Sequence, residues 1–472
     1  MRKTKIVCTL GPACESEEML AELLQEGMDV ARFNFSHGTQ EQQKQRLERL
    51  RRVASSMDRT VAALMDTKGP EIRLGDFVNG SAMLSRGSQF ILTTEEMLGT
   101  EEKATITYKN LYRDIQVGMS ILINDGCIEM VVENITETEI TCRVITGGKV
   151  SNHKGVNVPG AILSMPYINE VDESDIRFGA NAGYDYIACS FVRCKDDILA
   201  VRKILEEEGS RMKIIAKIEN MQGIDNLDEI IDVADGVMVA RGDMGVEVPM
   251  EQVPILQKEM IKKAVAKGKQ VITATQMLES MVNSPKPTRA ETTDVANAIF
   301  DGTTAIMLSG ETAAGEYPRE AVATMDKIAR MTEQNINYTG RMRHIRENGT
   351  LDITTAISHA TCQTAADIDA AAIITVTMSG FTAERICRYK PTCPIIACST
   401  TVEVCRQMNL FYGVKPILIR EEDHSTENLF RSAMKAAVKS GLVKKNDRVV
   451  LTAGLPLGES GNTNMVRVEI VD

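Results

Sequence analysis

Lys213-Ile-Ile-Ala-Lys-Ile-Glu-Asn220, with Gly236-Val-Met-Val-Ala-Arg-Gly-Asp243 after it, decides how the chain is read. Each is a short, largely apolar run that ends in charged residues, with helix-like sequence between the two. Such a run, bounded by helical stretches, predicts a strand of a parallel sheet buried on both faces. The same unit recurs outward in both directions: Ile6 to Leu10, Val30 to Phe35, Val61 to Met65 and Tyr186 to Val192 before it, Gln270 to Thr275 and Ala305 to Leu308 after it. Together with Lys213 to Ile218 and Gly236 to Ala240 these runs make eight. Eight strands with intervening helices predict an α/β fold of the (β/α)8 TIM-barrel type, in which the polar residues just past each strand share one catalytic face.

That rule selects Arg32, Asn34 and Ser36; Asp66 and Thr67; Lys217 and Glu219; Arg241 and Asp243; Thr275 and Gln276; and Ser309 and Glu311. The strand and helix rhythm breaks between Glu71 and Val158, where residues alternate with period two, clearest in Ile121-Leu122-Ile123, Ile128 to Val132 and Glu139 to Ile145. Asn124-Asp125-Gly126 and Gly147-Gly148 supply turns, so the segment predicts an all-β insertion. Past the charged stretch Arg341 to Glu347 and Asn348-Gly349, apolar runs at Ala372 to Val376, Pro394 to Cys398, Pro416 to Ile419 and Arg448 to Leu451 predict a further α/β domain. The expected division is a barrel over 1–68 and 166–340, a β-rich lid over 69–165, and a C-terminal α/β regulatory domain over 341–472.

The bulk properties agree with a multidomain globular protein. At ~150 residues per domain, 472 residues make about three units. A composition of 43% hydrophobic and 25% charged residues excludes disordered and collagen-like classes. Aromatics are 4% with no Trp, and 54 basic against 65 acidic residues leave a net charge of −11. Base-stacking modules and a field attractive to nucleic acid or anionic membrane are therefore disfavoured, and any phosphate site must be a local pocket. The first apolar run is too short for a signal peptide or a membrane span, so a cytoplasmic location is expected. The 11 Cys form no Cys-x-x-Cys pair, and Cys8, Cys189 and Cys398 sit in apolar runs, which predicts buried, reduced thiols.

Glu219 and Asp243, brought to one rim, are two hard oxygen ligands suited to Mg²⁺ or Mn²⁺. The plain alternative is that each caps a helix or pairs with an Arg. Lys217 lies two residues before Glu219, on the same face of a strand, where its charge would meet a developing anion. Its plain alternative is an internal ion pair with Glu219. Arg32 and Arg73 add cations, and several cations around a metal suit phosphoryl transfer, whose transition state spreads negative charge over oxygens. Neither a Gly-x-x-x-x-Gly-Lys-Ser/Thr loop nor a Gly-x-Gly-x-x-Gly fingerprint is present.

On Thr4-Lys-Ile-Val-Cys-Thr-Leu-Gly-Pro12, Ala31-Arg-Phe-Asn-Phe-Ser-His-Gly38, Met65-Asp-Thr-Lys-Gly-Pro-Glu-Ile-Arg73, Lys213 to Gly223, Val239 to Gly245, Ala274 to Ser280 and Met307 to Thr312, the chain resembles the pyruvate kinase family over nearly its whole length. The resemblance implies a glycolytic phosphotransferase that moves phosphate from phosphoenolpyruvate to ADP, giving pyruvate and ATP. It implies Glu219 and Asp243 as Mg²⁺ ligands and Lys217 as the cation on the transferring phosphoryl group and enolate. Arg32, Gly242, Asp243 and Thr275 would hold phosphoenolpyruvate; Arg73, Lys154, Asn34 and His37 would hold the nucleotide; Thr275 and Ser309 would lie on the side where the enolate is protonated. Asn34, Ser36, Asp66 and Thr67 match the family's K⁺ site, and Glu71 stands where potassium-dependent members carry glutamate.

The resemblance also implies a homotetramer and a sugar-phosphate effector at Thr377, Ser379, Gly380 and Thr382, where a loop before a helix around Ala383 to Tyr389 attracts phosphate. Gly454 to Asn464 would be the second loop of that site. Two other readings stay open on the residues: a non-catalytic relic that binds sugar phosphates, and a lyase acting on phosphoenolpyruvate or pyruvate from the same barrel.

Overall fold

A computed structural model describes residues 1–347, 352–419, 426–455 and 461–472. The eight apolar runs become strands β1 (Lys5–Thr9), β2 (Val30–Asn34), β3 (Ala62–Asp66), β4 (Tyr186–Cys189), β5 (Lys213–Ile218), β6 (Gly236–Ala240), β7 (Gln270–Ala274) and β8 (Ala305–Leu308). All neighbours are parallel and β1 pairs with both β2 and β8, so the sheet closes into a barrel. Val7, Val30, Leu64, Ile215, Met238 and Ile272 fill its interior at 0–1% exposure, which is why these strands read as unbroken apolar runs rather than alternating ones.

The helices between strands have sequence-encoded ends. Thr39 and Gln42 form a capping box at the start of Gln40–Ser56, and Thr288 and Glu291 form one at Arg289–Asp301. Gly302, at φ +104°, closes the latter helix in a conformation that favours glycine.

The insertion after β3 is a seven-stranded, mostly antiparallel sheet running from Ile72–Arg73 to Gly155–Asn157, plus a two-stranded ribbon of Ser81–Leu84 with Gly148–Ser151. It has its own core of Phe90, Leu92, Ile121, Ile123, Met130 and Val144. Asn124, Asp125 and Gly126 all take positive φ, as a tight reversal there requires.

The C-terminal sheet holds β9 (Ala372–Val376), β10 (Ile395–Ser399), β11 (Val414–Leu418), β12 (Arg448–Ala453) and β13 (Met465–Ile470) in the order β11-β10-β9-β12-β13. β13 is an antiparallel edge strand, directly after the loop Gly454 to Asn464, that was not among the expected strands, although Met-Val-Arg-Val-Glu-Ile alternates. The charged stretch Arg341 to Glu347 is the end of a helix, Tyr338–Glu347, and Met342 packs into the C-terminal core. Asn348 and Gly349 lie outside the described residues.

The C-terminal domain packs on the barrel face that carries the N-terminal ends of the strands. Tyr186 Oη donates to Gln407 O at 2.6 Å, and Gln407 Nε2 donates to Arg211 O at 2.8 Å. Arg388 donates to Ala266 O and Lys390 to Gly302 O, so cations of one domain cap helix C-termini of the other. This leaves the opposite face of the barrel free for the lid and the chemistry.

Candidate active site

Lys217, near the end of β5, sits at the centre of a buried polar cluster. Its Nζ lies 2.9 Å from Glu219 Oε1, 3.1 Å from Asp66 Oδ1 and 2.7 Å from Ser190 Oγ. Asp66, at the end of β3, is held from the other side by Arg32, whose Nε is 2.5 Å from Oδ2. Arg32 in turn donates to Thr9 Oγ1 at 3.0 Å. Strands β2, β3 and β5 thus deliver an alternating chain of charges across the rim: Arg32, Asp66, Lys217, Glu219.

The electrostatics follow from burial and neighbours. Burial alone would lower the Lys217 ammonium, but Asp66, Glu219 and Asp243 outweigh it and hold the group above its ordinary value. Burial alone would raise Asp66, but Arg32 and Lys217 hold it below the ordinary carboxylate value. Burial raises Glu219 above the ordinary carboxylate value, with Lys217 opposing the rise and Asp243 adding to it. Glu219 is therefore a carboxylate short of positive charge, which is the environment a divalent cation would relieve. Asp243 lies in the first turn of the helix Arg241–Glu247, directly after β6, and is exposed. Two carboxylates, one buried and one open, form a donor set suited to Mg²⁺ with waters and substrate oxygens completing its shell.

Glu219 is fixed by the turn after β4. Phe191 N donates to Glu219 Oε2 at 2.7 Å, and Phe191 adopts φ +55°, an uncommon conformation for a non-glycine residue. Thr275 is likewise left-handed, at φ +65°. Its Oγ1 accepts from Gly242 N at 2.7 Å, and its carbonyl accepts from Arg241 Nη2 at 2.6 Å, while Arg241 pairs with Asp294 at 2.7 Å. Arg241 is thus tied down inside the rim. Ser309 N donates to Glu311 Oε2 at 2.7 Å, and Ser309 Oγ is buried with no hydrogen-bond partner among the described residues.

A cleft of about 580 Å³ opens between lid and barrel; its walls include Glu71, Arg73, Lys154, Asn220 and Asp243. Arg73 is engaged by Glu71 at 2.6 Å and donates to His153 O at 2.8 Å. Asn34 and His37 are not among its walls; His37 is exposed on the turn after β2. Of the residues matched to K⁺, Asn34 Oδ1 accepts from Ser36 N at 3.1 Å, and Thr67 Oγ1 accepts from Ser190 N at 3.2 Å. Asp66 joins these to the Lys217 cluster.

In the C-terminal domain the helix begins at Phe381, slightly earlier than expected, with Gly380 before it at φ +81°. Thr377 and Thr382 are buried and Ser379 is exposed; Thr382 Oγ1 lies 3.1 Å from Thr463 Oγ1, so the two expected effector loops touch. Residues 456–460 of the second loop lie outside the described residues.

Ser190 is the residue the sequence reading missed. It follows Cys189 at the end of β4, where the strand-end rule applies as it does elsewhere, yet no residue of that strand end was selected. Among the described residues no helix is long and apolar enough to cross a membrane, and Cys8, Cys189 and Cys398 are buried free thiols.

Comparison with known proteins agrees with this architecture. The family model for the pyruvate kinase barrel domain matches residues 1–322, and that for the pyruvate kinase alpha/beta domain matches 355–469. The chain is 49% identical over 475 aligned residues to a pyruvate kinase of Geobacillus stearothermophilus, covering 100% of this chain and 80% of that one. It is 48% identical to a pyruvate kinase of Staphylococcus aureus, covering 100% of this chain and 81% of that one. A crystal structure of a pyruvate kinase from Cryptosporidium parvum superposes with a TM-score of 0.95 at 38% identity, over 100% of this chain and 96% of that one. With both of its family models matched in order and full-length relatives close to half identical, the chain belongs to the pyruvate kinase family.

Proposed function

We propose that the chain transfers the phosphoryl group of phosphoenolpyruvate to ADP, giving pyruvate and ATP, at the barrel rim around Lys217. The observation that carries this is the Lys217 ammonium held 2.9 Å from Glu219 and 3.1 Å from Asp66. A fixed, buried cation beside an electron-rich carboxylate pair stabilises charge that appears only in the transition state, without reorganising at the moment of reaction.

Each neighbouring group takes a role that its chemistry supports. Arg32 contacts the transferring phosphate, since its guanidinium still has donors beyond those on Asp66 and Thr9. Gly242 and Thr275 bind the substrate carboxylate end at the helix start after β6, where backbone amides favour anions. Ser309, whose hydroxyl has no partner among the described residues, and Thr275 lie on the side from which the enolate receives its proton. Arg73 and Lys154 bring the lid's positive charge to the nucleotide phosphates. Glu219 and Asp243 hold Mg²⁺ or Mn²⁺, and Asn34, Ser36, Asp66 and Thr67 hold K⁺. The divalent ion, when bound, supplies charge neutralisation and orientation for the phosphoryl oxygens.

Thr377, Ser379, Gly380 and Thr382 form a sugar-phosphate effector site, and assembly into a homotetramer in the cytoplasm couples it to the rim. The domain division over 1–68 with 166–340, 69–165 and 341–472 places lid closure over the cleft, where it excludes water from the phosphoryl group. The relic and lyase readings have no support among the relatives. A coupled assay of pyruvate formation, run with and without ADP and Mg²⁺, tests the proposal: activity that needs both is expected, and pyruvate release indifferent to ADP would overturn it.

A further inference from the structure

The turn after β4, Ser190-Phe-Val-Arg193, touches three things at once. Ser190 Oγ accepts from the Lys217 ammonium, and Phe191 N donates to Glu219. Arg193 reaches the other way, to the segment through which the lid returns to the barrel. Its Nη1 donates to Leu163 O at 3.1 Å and to Met165 O at 2.9 Å. Its Nε and Nη2 are held by Asp197 at 3.2 Å and 3.1 Å, its ring neighbour is Tyr167 at 5.6 Å, and its carbonyl accepts from Asn226 Nδ2 at 2.8 Å.

The side chains of Leu163 and Met165 pack against the lid core, while their carbonyls belong to this barrel arginine. The lid's outgoing connection meets the same turn. A Cβ on Gly69, at φ +74°, would lie 2.9 Å from Ser190 O, and Gly69 N donates to Asp172 Oδ1 at 3.2 Å. Tyr167 Oη donates to that same Ser190 carbonyl at 3.0 Å. Both ends of the lid are therefore seated on the one turn that also orients Lys217 and Glu219.

We infer that Arg193 is a positioning residue whose side chain clamps the return hinge of the lid, while Ser190 and Phe191 of the same turn hold Lys217 and Glu219 through contacts of their own. A guanidinium suits this because its planar fork satisfies a carboxylate and two carbonyls at fixed angles, which one ammonium does not. The inference rests on the proposal that the lid carries nucleotide contacts.

The test uses the full chain with Arg193→Met, Arg193→Lys and Asp197→Asn. Three quantities are read: the KM for ADP, hydrogen exchange of the backbone amides in 160–166, and the ADP-independent exchange of pyruvate methyl hydrogens with solvent. That exchange runs the enolate half-reaction backwards and calls on no lid contact with nucleotide. Arg193→Met is expected to raise the KM for ADP about 10-fold or more, the effect of losing charge-assisted hydrogen bonds, and to speed exchange in 160–166. Methyl exchange by the same variant stays at the wild-type rate. Arg193→Lys should recover part of the ADP affinity, and Asp197→Asn, which keeps the guanidinium but frees it, should shift the same readouts in the same direction. An unchanged KM and unchanged amide exchange, whatever happens to thermal stability, overturn the clamp. Lys154→Met run alongside separates that failure from failure of the lid's nucleotide role, since a raised KM for ADP in Lys154→Met leaves the latter standing.

Discussion

Lys217 Nζ lies 2.9 Å from Oε1 of Glu219, although both side chains are almost fully buried. Either charge alone would be expensive there; together with Asp66 and Arg32 they balance. This ion pair and a catalytic role for Lys217 are the same arrangement seen with and without substrate charge, because the pair keeps the ammonium in place for the anion that arrives.

Glu219→Gln should therefore abolish most turnover while leaving the fold intact. Lys217 keeps Asp66 as a partner, so the loss of stability should fall below the ~3–5 kcal/mol expected when a buried charge loses its only partner. Thermal unfolding followed beside the steady-state rate at increasing Mg²⁺ checks both halves. Full rescue of turnover by Mg²⁺ alone would show that Glu219 is not needed at the rim.

Among the described residues, the buried Lys390 has no carboxylate within ion-pair distance: it donates to Gly302 O and, at 3.4 Å, to Thr303 O. Burial, with Arg341 adding, pushes its ammonium down from 10.5 to about 7. Between those values the unfolded chain holds a proton that the folded chain has released, so stability rises with pH, by at most ~1.4 kcal/mol per unit for this group. Below pH 7 both states are protonated and the full burial penalty applies. Denaturation midpoints at about pH 6.5 and about 8.5 should differ less in Lys390→Met than in the wild type. Equal pH dependence in the two proteins would contradict this.

The Glu71 carboxylate sits 2.6 Å from Arg73, shortly after Thr67 in the chain. Glu71→Lys places an ammonium there and should reduce the dependence of the rate on K⁺, measured against a bulky organic cation at equal ionic strength. Equal rates in both salts for the wild type would remove the basis for the prediction.

The effector proposal is tested best at Ser379, because Thr382 is buried against Thr463 and a Glu there would disturb packing. Ser379→Glu adds a like charge on an exposed position of the loop. It should abolish any left shift of the phosphoenolpyruvate curve produced by fructose bisphosphate, glucose 6-phosphate or ribose 5-phosphate, with maximal turnover unchanged. Hyperbolic wild-type curves that none of the three ligands moves would refute the effector site itself.

The barrel was legible because its strands are buried on both faces, so Val30, Ile214 and Ile272 announce themselves as continuous apolar runs. The rim followed from the strand-end rule, which placed Arg32, Asp66, Lys217, Glu219 and Asp243 together. Ser190 escaped because its hydroxyl looks like any turn residue until Lys217 arrives from the next strand, 27 residues further on. The left-handed turns at Phe191 and Thr275 were invisible too, since neither residue type favours that conformation and only tertiary hydrogen bonds hold it. Strand β13 was missed at an edge, where half-exposed alternation competes with a glycine-rich loop beside it.

The most direct test of the account is the turnover of Lys217→Met, measured as ADP-dependent pyruvate formation at saturating Mg²⁺ on protein shown to be folded by circular dichroism. Loss of the buried cation should lower kcat by ~10²–10³-fold, the ~2.7–4 kcal/mol typical of a removed electrostatic stabiliser. A folded Lys217→Met protein that turns over at the wild-type rate would contradict it.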